Sequence, residues 1–200
     1  IKVLLGVVSP TSGKAALFGQ PAGTKLARSR IGYLPETLRV DRHHSARSAL
    51  RFYGRLSNMS RQEIEKRSDE LLELVGLRGR DREPLKRFSK GMNQRLGLAQ
   101  ALIHDPDLLV LDEPTNHLDT GAIEWLETFL ARYSGTCLFV THDRYFLDNI
   151  ATRIVELSNG RFHSYAGNYT DYLLTRAEQK KTEERSEHKR QRFLKRELQW

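Results

Sequence analysis

The chain has 200 residues, 38% hydrophobic and 29% charged, enough for one domain with a packed core plus an appendage but not for several domains. No run approaches the ~18 to 20 apolar residues of a membrane span, no secretory leader opens the chain, and the single cysteine, Cys137, excludes an internal disulfide and fits a reduced, cytosolic setting. The formal net charge is +8, and residues 176–200, with nine Lys or Arg against five Asp or Glu, carry half of it; the remainder is not itself a strongly basic nucleic-acid binder.

Residues 1–8 are apolar and short, and Ser9, Pro10, Thr11, Ser12 and Gly13 form a dense turn signal. Strand-like runs follow at 15–18, closed by Gly19, and at 31–34, stopped by Pro35. Helical spacing covers 46–56 and 61–75, where Ile64, Leu71, Leu72 and Val75 share one face and Gly76 supplies a C-terminal cap. Residues 90–103 repeat Met92, Leu96, Ala99 and Leu102 at three- and four-residue steps behind the cap residue Ser89. The run 108–111 predicts a strand buried on both faces, 122–133 a helix and 136–140 a second buried strand, with Cys137 a small buried side chain. Strand, helix, strand in that order implies a right-handed crossover in an α/β domain, with its chemistry at the carboxyl ends of the strands. Asn159-Gly160 between the runs 153–157 and 161–165 predicts a hairpin. After Gly167 a helix continues through the charged tail, and because 178–192 contains no apolar residue it projects into solvent or along a partner.

Asp112 and Glu113 end the first buried strand. A rigid strand can aim such a carboxylate at a phosphate site as a magnesium anchor, and an adjacent carboxylate can activate water. His142 ends the parallel strand beside it, so the sheet brings all three to one edge, where the imidazole can reach a terminal phosphate or water. Asp119 follows in the next turn.

The run Leu108-Leu109-Val110-Leu111-Asp112-Glu113-Pro114-Thr115-Asn116-His117-Leu118-Asp119 resembles the Walker B motif and D-loop of an ATP-binding cassette (ABC) ATPase. Thr141-His142-Asp143 resembles that family's switch histidine. Phe88-Ser89-Lys90-Gly91-Met92-Asn93-Gln94-Arg95 resembles its L-S-G-G-Q signature, retaining Ser89 and Gly91 and departing at Lys90 and Met92. Ile31-Gly32-Tyr33-Leu34-Pro35-Glu36 resembles the Q-loop region, with Glu36 where glutamine is commoner. The likeness covers about residues 1–165. It implies a truncated P-loop NTPase-type α/β nucleotide-binding domain over 1–167 with a helical signature subdomain at about 43–103, and a charged helical linker over 168–200. It further implies ATP and Mg2+ as cofactors: Asp112 positions the metal, Glu113 activates water, and His142 contacts the γ-phosphate. Ser89 and Gly91 grip ATP held by a second cassette, Asp119 couples the two sites, and Glu36 belongs to the cofactor-binding set. Gln94 and Arg95 support the signature helix.

The 200 residues contain no G-x-x-x-x-G-K-[ST] loop: Gly13-Lys14 is preceded by Val8 at the position the first glycine would take and followed by Ala15. Residues 1–19 resemble the helix end, turn and strand that come after such a loop in the family, so the expectation is a segment of a longer product whose phosphate cradle lies upstream, with little or no ATPase activity of its own. Up to about residue 107 the sequence resembles the ATPase subunit of an exporter, which docks on membrane-spanning subunits and is peripheral to the membrane. From Asn116 onward it resembles the cytoplasmic F subfamily, whose paired cassettes act on ribosomes. In that subfamily a charged linker reaches ribosome-bound transfer RNA, and Lys180, Lys181, Arg185, Lys189, Arg190 and Arg192 would supply the phosphate contacts. The F reading is preferred; the exporter subunit and a non-catalytic RNA- or partner-binding module are the alternatives.

Overall fold

The structure, a computed structural model, describes the backbone of residues 1–37, 40–116 and 118–197, and the side chains of these except 183, 184 and 186–197. His117 and the side chains of Lys189, Arg190 and Arg192 therefore lie outside the described residues. The chain forms two units, Ile1–His142 and Asp143–Trp200.

In the first unit, β1 (Ala16–Leu17) and β2 (Gln20–Pro21) make a short antiparallel ribbon, followed by α1 (Lys25–Arg28) and β3 (Ile31–Leu34). The helices α2 (Ala46–Leu56), α3 (Arg61–Leu74) and α4 (Lys90–Leu102) come next, then β4 (Leu108–Asp112), α5 (Thr120–Arg132) and β5 (Thr136–Val140). The three longer strands form one parallel sheet in the order β3-β4-β5. Residues 2–6 form turns, in which Leu5 N–H donates to Ile1 O at 3.1 Å and Gly6 turns at φ +70°.

The apolar run of β4 is buried as its sequence predicts: Leu109, Val110 and Leu111 are inaccessible, each gaining roughly 1.5 to 3 kcal/mol from leaving water. β5 departs from the expectation. Among the described residues it pairs with β4 alone; its side chains there are half-buried at most and Val140 is 46% exposed. Cys137, on this strand, is half-buried, and burial pushes its thiol pKa up to about 12, which keeps it protonated and unreactive at neutral pH.

The helices carry their own punctuation. Ser60 and Glu63 form a reciprocal capping box at the start of α3, and Ile64, Leu71, Leu72 and Val75 are buried along one face. The helix closes with Gly76 at φ +67°, where Gly76 N–H donates to Glu73 O and Leu77 N–H to Leu72 O, a paired closure that suits glycine. Across α2 and α3, Arg47 donates to Asp81 Oδ2 at 2.7 Å and Asp69 Oδ1 at 2.6 Å and lies 3.6 Å from Glu65.

His104 follows α4 and donates Nε2–H to Ile31 O at 3.1 Å, joining the helix end to β3. Its Nδ1 is buried without a partner. Burial lowers its pKa, against the opposing pull of the Ile31 carbonyl and Asp105. The folded state thus prefers the neutral ring, and protonation favours unfolding. We expect stability to fall as pH drops below the ordinary histidine value near ~6.5. A thermal melt followed from pH 7.5 to 5.5 should show a slope that flattens in His104→Gln; equal slopes would contradict this assignment.

In the second unit, α6 (Arg144–Ile150) precedes the antiparallel hairpin of β6 (Arg153–Ser158) and β7 (Arg161–Ala166), turned by Asn159 and Gly160 at φ +51° and +73°. The last helix, α7 (Tyr169–Glu197), starts from Asn168, whose side chain accepts from Asp171 N–H while Asp171 accepts from Asn168 N–H. Arg176 on α7 pairs with Glu156 of β6 at 3.2 Å, tying the helix base to the hairpin. No helix among the described residues is long and apolar enough to cross a membrane.

Candidate functional site

The parallel pairing of β4 with β5 sets Asp112 opposite Val140 and delivers Glu113 and His142 just beyond the strand ends. Glu113 continues the ladder through its N–H to Val140 O at 2.8 Å, then turns the chain at φ +48°. That left-handed conformation is uncommon for a residue with a side chain and costs of order 1 kcal/mol or more. It brings the carboxylate to the end of β5: Glu113 Oε2 accepts from His142 N–H at 3.3 Å, and Oε1 lies 3.4 Å from His142 Nε2. The carboxylate is only 13% exposed while the imidazole is 96% exposed, so the carboxylate is sheltered and the histidine faces outward.

The turn after Glu113 is held by its neighbours. Thr115 is buried with its hydroxyl 3.5 Å from that of Thr141. Gln94 on α4 donates to Pro114 O at 3.2 Å, and Asn116 donates to Glu36 Oε1 at 3.4 Å. A cleft of about 380 Å³ opens beside it, with Glu36, Lys90, Asn93, Gln94 and Asn116 among its lining residues. Asp112, half-buried, accepts the Tyr33 hydroxyl at 3.2 Å. Burial, with the charge and hydrogen bond of Asp112 behind it, raises the Tyr33 phenol pKa.

The sequence-predicted residues therefore divide. Asp112, Glu113 and His142 meet at one sheet edge, and Glu36 joins the adjoining turn through Asn116. Ser89 caps α4, its hydroxyl accepting from Met92 N–H at 3.1 Å, with Gly91 in the first turn behind it. Asp119 caps α5, accepting from Ala122 N–H at 2.8 Å. No hydrogen bond among the described residues joins Ser89 or Gly91 to the carboxylate pair. Lys180, Lys181 and Arg185 are exposed on α7. Arg95 supports the signature helix from its other side, reaching Val75 O at 3.4 Å and lying 5.1 Å above the Trp125 ring. Tyr33, Thr115 and Asn116 receive no role from the sequence; their partners lie 26 to 80 residues away and are found only through strand register and loop packing.

A parallel sheet with a carboxylate pair and a histidine at its carboxyl edge, beside a helical subdomain that opens a capped helix, defines a nucleotide-binding class of α/β domain. A family model described as ABC transporter matches residues 1–116, and a second with the same description matches residues 155–200. The chain belongs to the ABC transporter family. Similar curated proteins include the uncharacterized ABC transporter ATP-binding protein YfmR of Bacillus subtilis, 49% identical over 59% of this chain and 19% of that protein. The energy-dependent translational throttle protein EttA of Mycobacterium tuberculosis is 50% identical over 59% of this chain and 21% of that protein. The ATP-binding protein Uup of Haemophilus influenzae is 47% identical over 60% and 18%. The chain thus spans about a fifth of the length of these relatives. A solved structure of the ATP binding subunit of an ABC transporter superposes with a TM-score of 0.71 at 28% identity, covering 82% of this chain and 71% of that one. The ABC ATP-binding fold read from the sequence is borne out, as is the likeness to the F subfamily, to which Uup and EttA belong.

Proposed function

We propose that this chain is the catalytic half-site of an F-subfamily cassette that hydrolyses ATP and couples its closure against a second cassette to an action on the ribosome. The observation that carries the hydrolytic reading is the sheltered Glu113 carboxylate, held by the backbone N–H of His142 with the ring of the same residue 3.4 Å away. The hydrogen bond to Oε2 orients the carboxylate, as a general base needs before substrate arrives. Among the described residues no cluster of three or more His, Cys, Asp or Glu could cage a metal. One carboxylate at a strand end, Asp112, fits magnesium carried on nucleotide phosphates, since that ion is commonly bound by one or two carboxylates plus phosphate oxygens. With nucleotide bound, magnesium would neutralise phosphate charge and Asp112 would hold it; Glu113 would accept the proton of the attacking water, and His142 would donate toward the terminal phosphate.

The signature turn supports a partner cassette. Gly91 has a negative φ, and a Cβ there would meet only ordinary contacts, the nearest being Leu118 Cδ2 at 3.8 Å. Packing within the chain does not demand glycine, although alanine would favour the helix by about 1 kcal/mol. Glycine is explained by close approach of something outside the chain, and the N-terminal amides of α4 favour a phosphate. Lacking a P-loop in its own 200 residues, the chain alone is expected to turn over little ATP.

Lys180, Lys181 and Arg185, exposed on a 29-residue helix, support the ribosomal arm, as does the name of EttA, a translational throttle protein. On this reading the protein is cytoplasmic and the arm touches RNA phosphates. Replacing the three by glutamine should weaken transfer RNA or ribosome binding and reduce the log-log salt slope by about 2, at ~0.7 for each phosphate released. An unchanged slope would sink the arm. The likeness to an ABC transporter's ATP binding subunit supports a second reading, docking on membrane-spanning exporter subunits, and co-purification with membranes rather than ribosomes would favour it.

A further inference from the structure

In parallel pairing, residues in register point to the same face of a sheet. Ile31 pairs with Leu108, Tyr33 with Val110, and Val110 with Leu138, so Tyr33 shares a face with these four and with Asp112, one pleat beyond Val110. Tyr33 and Leu138 pack against the buried cluster of Ile31, Leu108 and Val110, which fixes the ring along the sheet. From that seat the phenol reaches forward by one pleat and donates to Asp112 Oδ2 at 3.2 Å. Asp112 Oδ1 accepts no hydrogen bond among the described residues.

We propose that Tyr33 is a positioning residue for the metal carboxylate: by occupying Oδ2 from a packed ring, it fixes the rotation of the Asp112 carboxylate and leaves Oδ1 as the oxygen presented to magnesium. This rests on the reading of Asp112 as the metal-directed carboxylate. An aspartate at a strand end otherwise rotates about its last side-chain bond, a broad, soft torsion, and offers either oxygen or both. A single-oxygen ligand of fixed direction suits magnesium, which demands near-octahedral geometry and keeps several waters. Groups that orient a ligand in this way typically contribute about tenfold or more to metal affinity. The same phenol would also seal the polar end of the apolar cluster, a role that affects stability but carries no metal dependence.

The test uses the full-length gene product with Tyr33→Phe, Asp112→Asn and both together, binding fluorescent MANT-labelled AMP-PNP, which is not hydrolysed. Affinity is measured in excess magnesium and in EDTA, and the ratio reports what the metal contributes. Tyr33→Phe keeps the ring and its packing, and its melting temperature is followed alongside. The expected result is a ratio lowered about tenfold, unchanged affinity in EDTA, and no further loss when Tyr33→Phe is added to Asp112→Asn. If Asp112→Asn lowers the ratio but Tyr33→Phe does not, or lowers it equally in both backgrounds, the positioning role is overturned while the metal reading of Asp112 stands. If Asp112→Asn leaves the ratio unchanged, both are overturned.

Discussion

Replacing Glu113 by glutamine in the full-length gene product should lower ATP turnover by about two to four orders of magnitude while nucleotide still binds, the range expected for loss of a positioned general base. The substitution is nearly isosteric. A glutamine carbonyl still accepts from His142 N–H, so the link between the turn and β5 survives, and the left-handed backbone at Glu113 is no worse for an amide than for a carboxylate. On the proposed role, the variant loses the capacity to take a proton from water in that sheltered position. His142→Ala should reduce turnover as well, but through a different contact, because that imidazole is exposed and able to meet an incoming phosphate. Steady-state turnover and nucleotide binding, measured on the same preparations, separate the two. Turnover within tenfold of the parent in Glu113→Gln would remove Glu113 from the role of base.

Arg47→Met should destabilise the first unit by about 2 to 3 kcal/mol, which for a chain of this length lowers the melting temperature by about 5 to 10 °C. The guanidinium is 18% exposed and Asp81 12%, and Asp69 and Glu65 complete the network that ties α2 to α3 and the loop after it. Methionine keeps most of the volume and leaves Asp81 as a buried charge with its main partner gone, where breaking the pair costs more than the pair contributed. Burial acts to raise the Asp81 carboxyl pKa, but the Arg47 hydrogen bond and charge outweigh it and hold the value below the ordinary range. A depressed carboxylate pKa contributes stability that is present above about pH 4 and lost as pH falls through the folded value. The difference in melting temperature between parent and Arg47→Met should therefore be full at pH 7 and shrink below pH 4. A difference independent of pH would assign the loss to packing instead.

Much of the site is visible in the sequence because β4 is an uninterrupted apolar run that ends abruptly in two carboxylates, and such a run can hardly be anything but a central strand. His142 is visible for the same reason at one remove, since β5 is short, apolar and separated from β4 by a helix. The partial burial of β5 is not visible, because strands with one described neighbour and strands with two can share one composition, and only the pairing distinguishes them. The helix α1 escapes notice because four residues between a threonine cap and Ser29 give no periodicity. Asp119 illustrates a different limit. Its resemblance to a coupling residue is legible, whereas its hydrogen bond to Ala122 N–H, a cap that orients α5, depends on where the helix begins. Tyr33 lies inside a recognisable motif, yet its partner is 79 residues away and is reached only through the register of β3 on β4.

The most direct test of the central claim is ATP turnover by this chain beside the same chain extended at its amino end by a strand and P-loop from the encoding gene, each with and without Glu113→Gln. Hydrolysis is expected only in the extended chain, and it should vanish in the glutamine variant. Hydrolysis by the 200 residues alone, or hydrolysis in the extended chain that survives Glu113→Gln, would contradict the assignment.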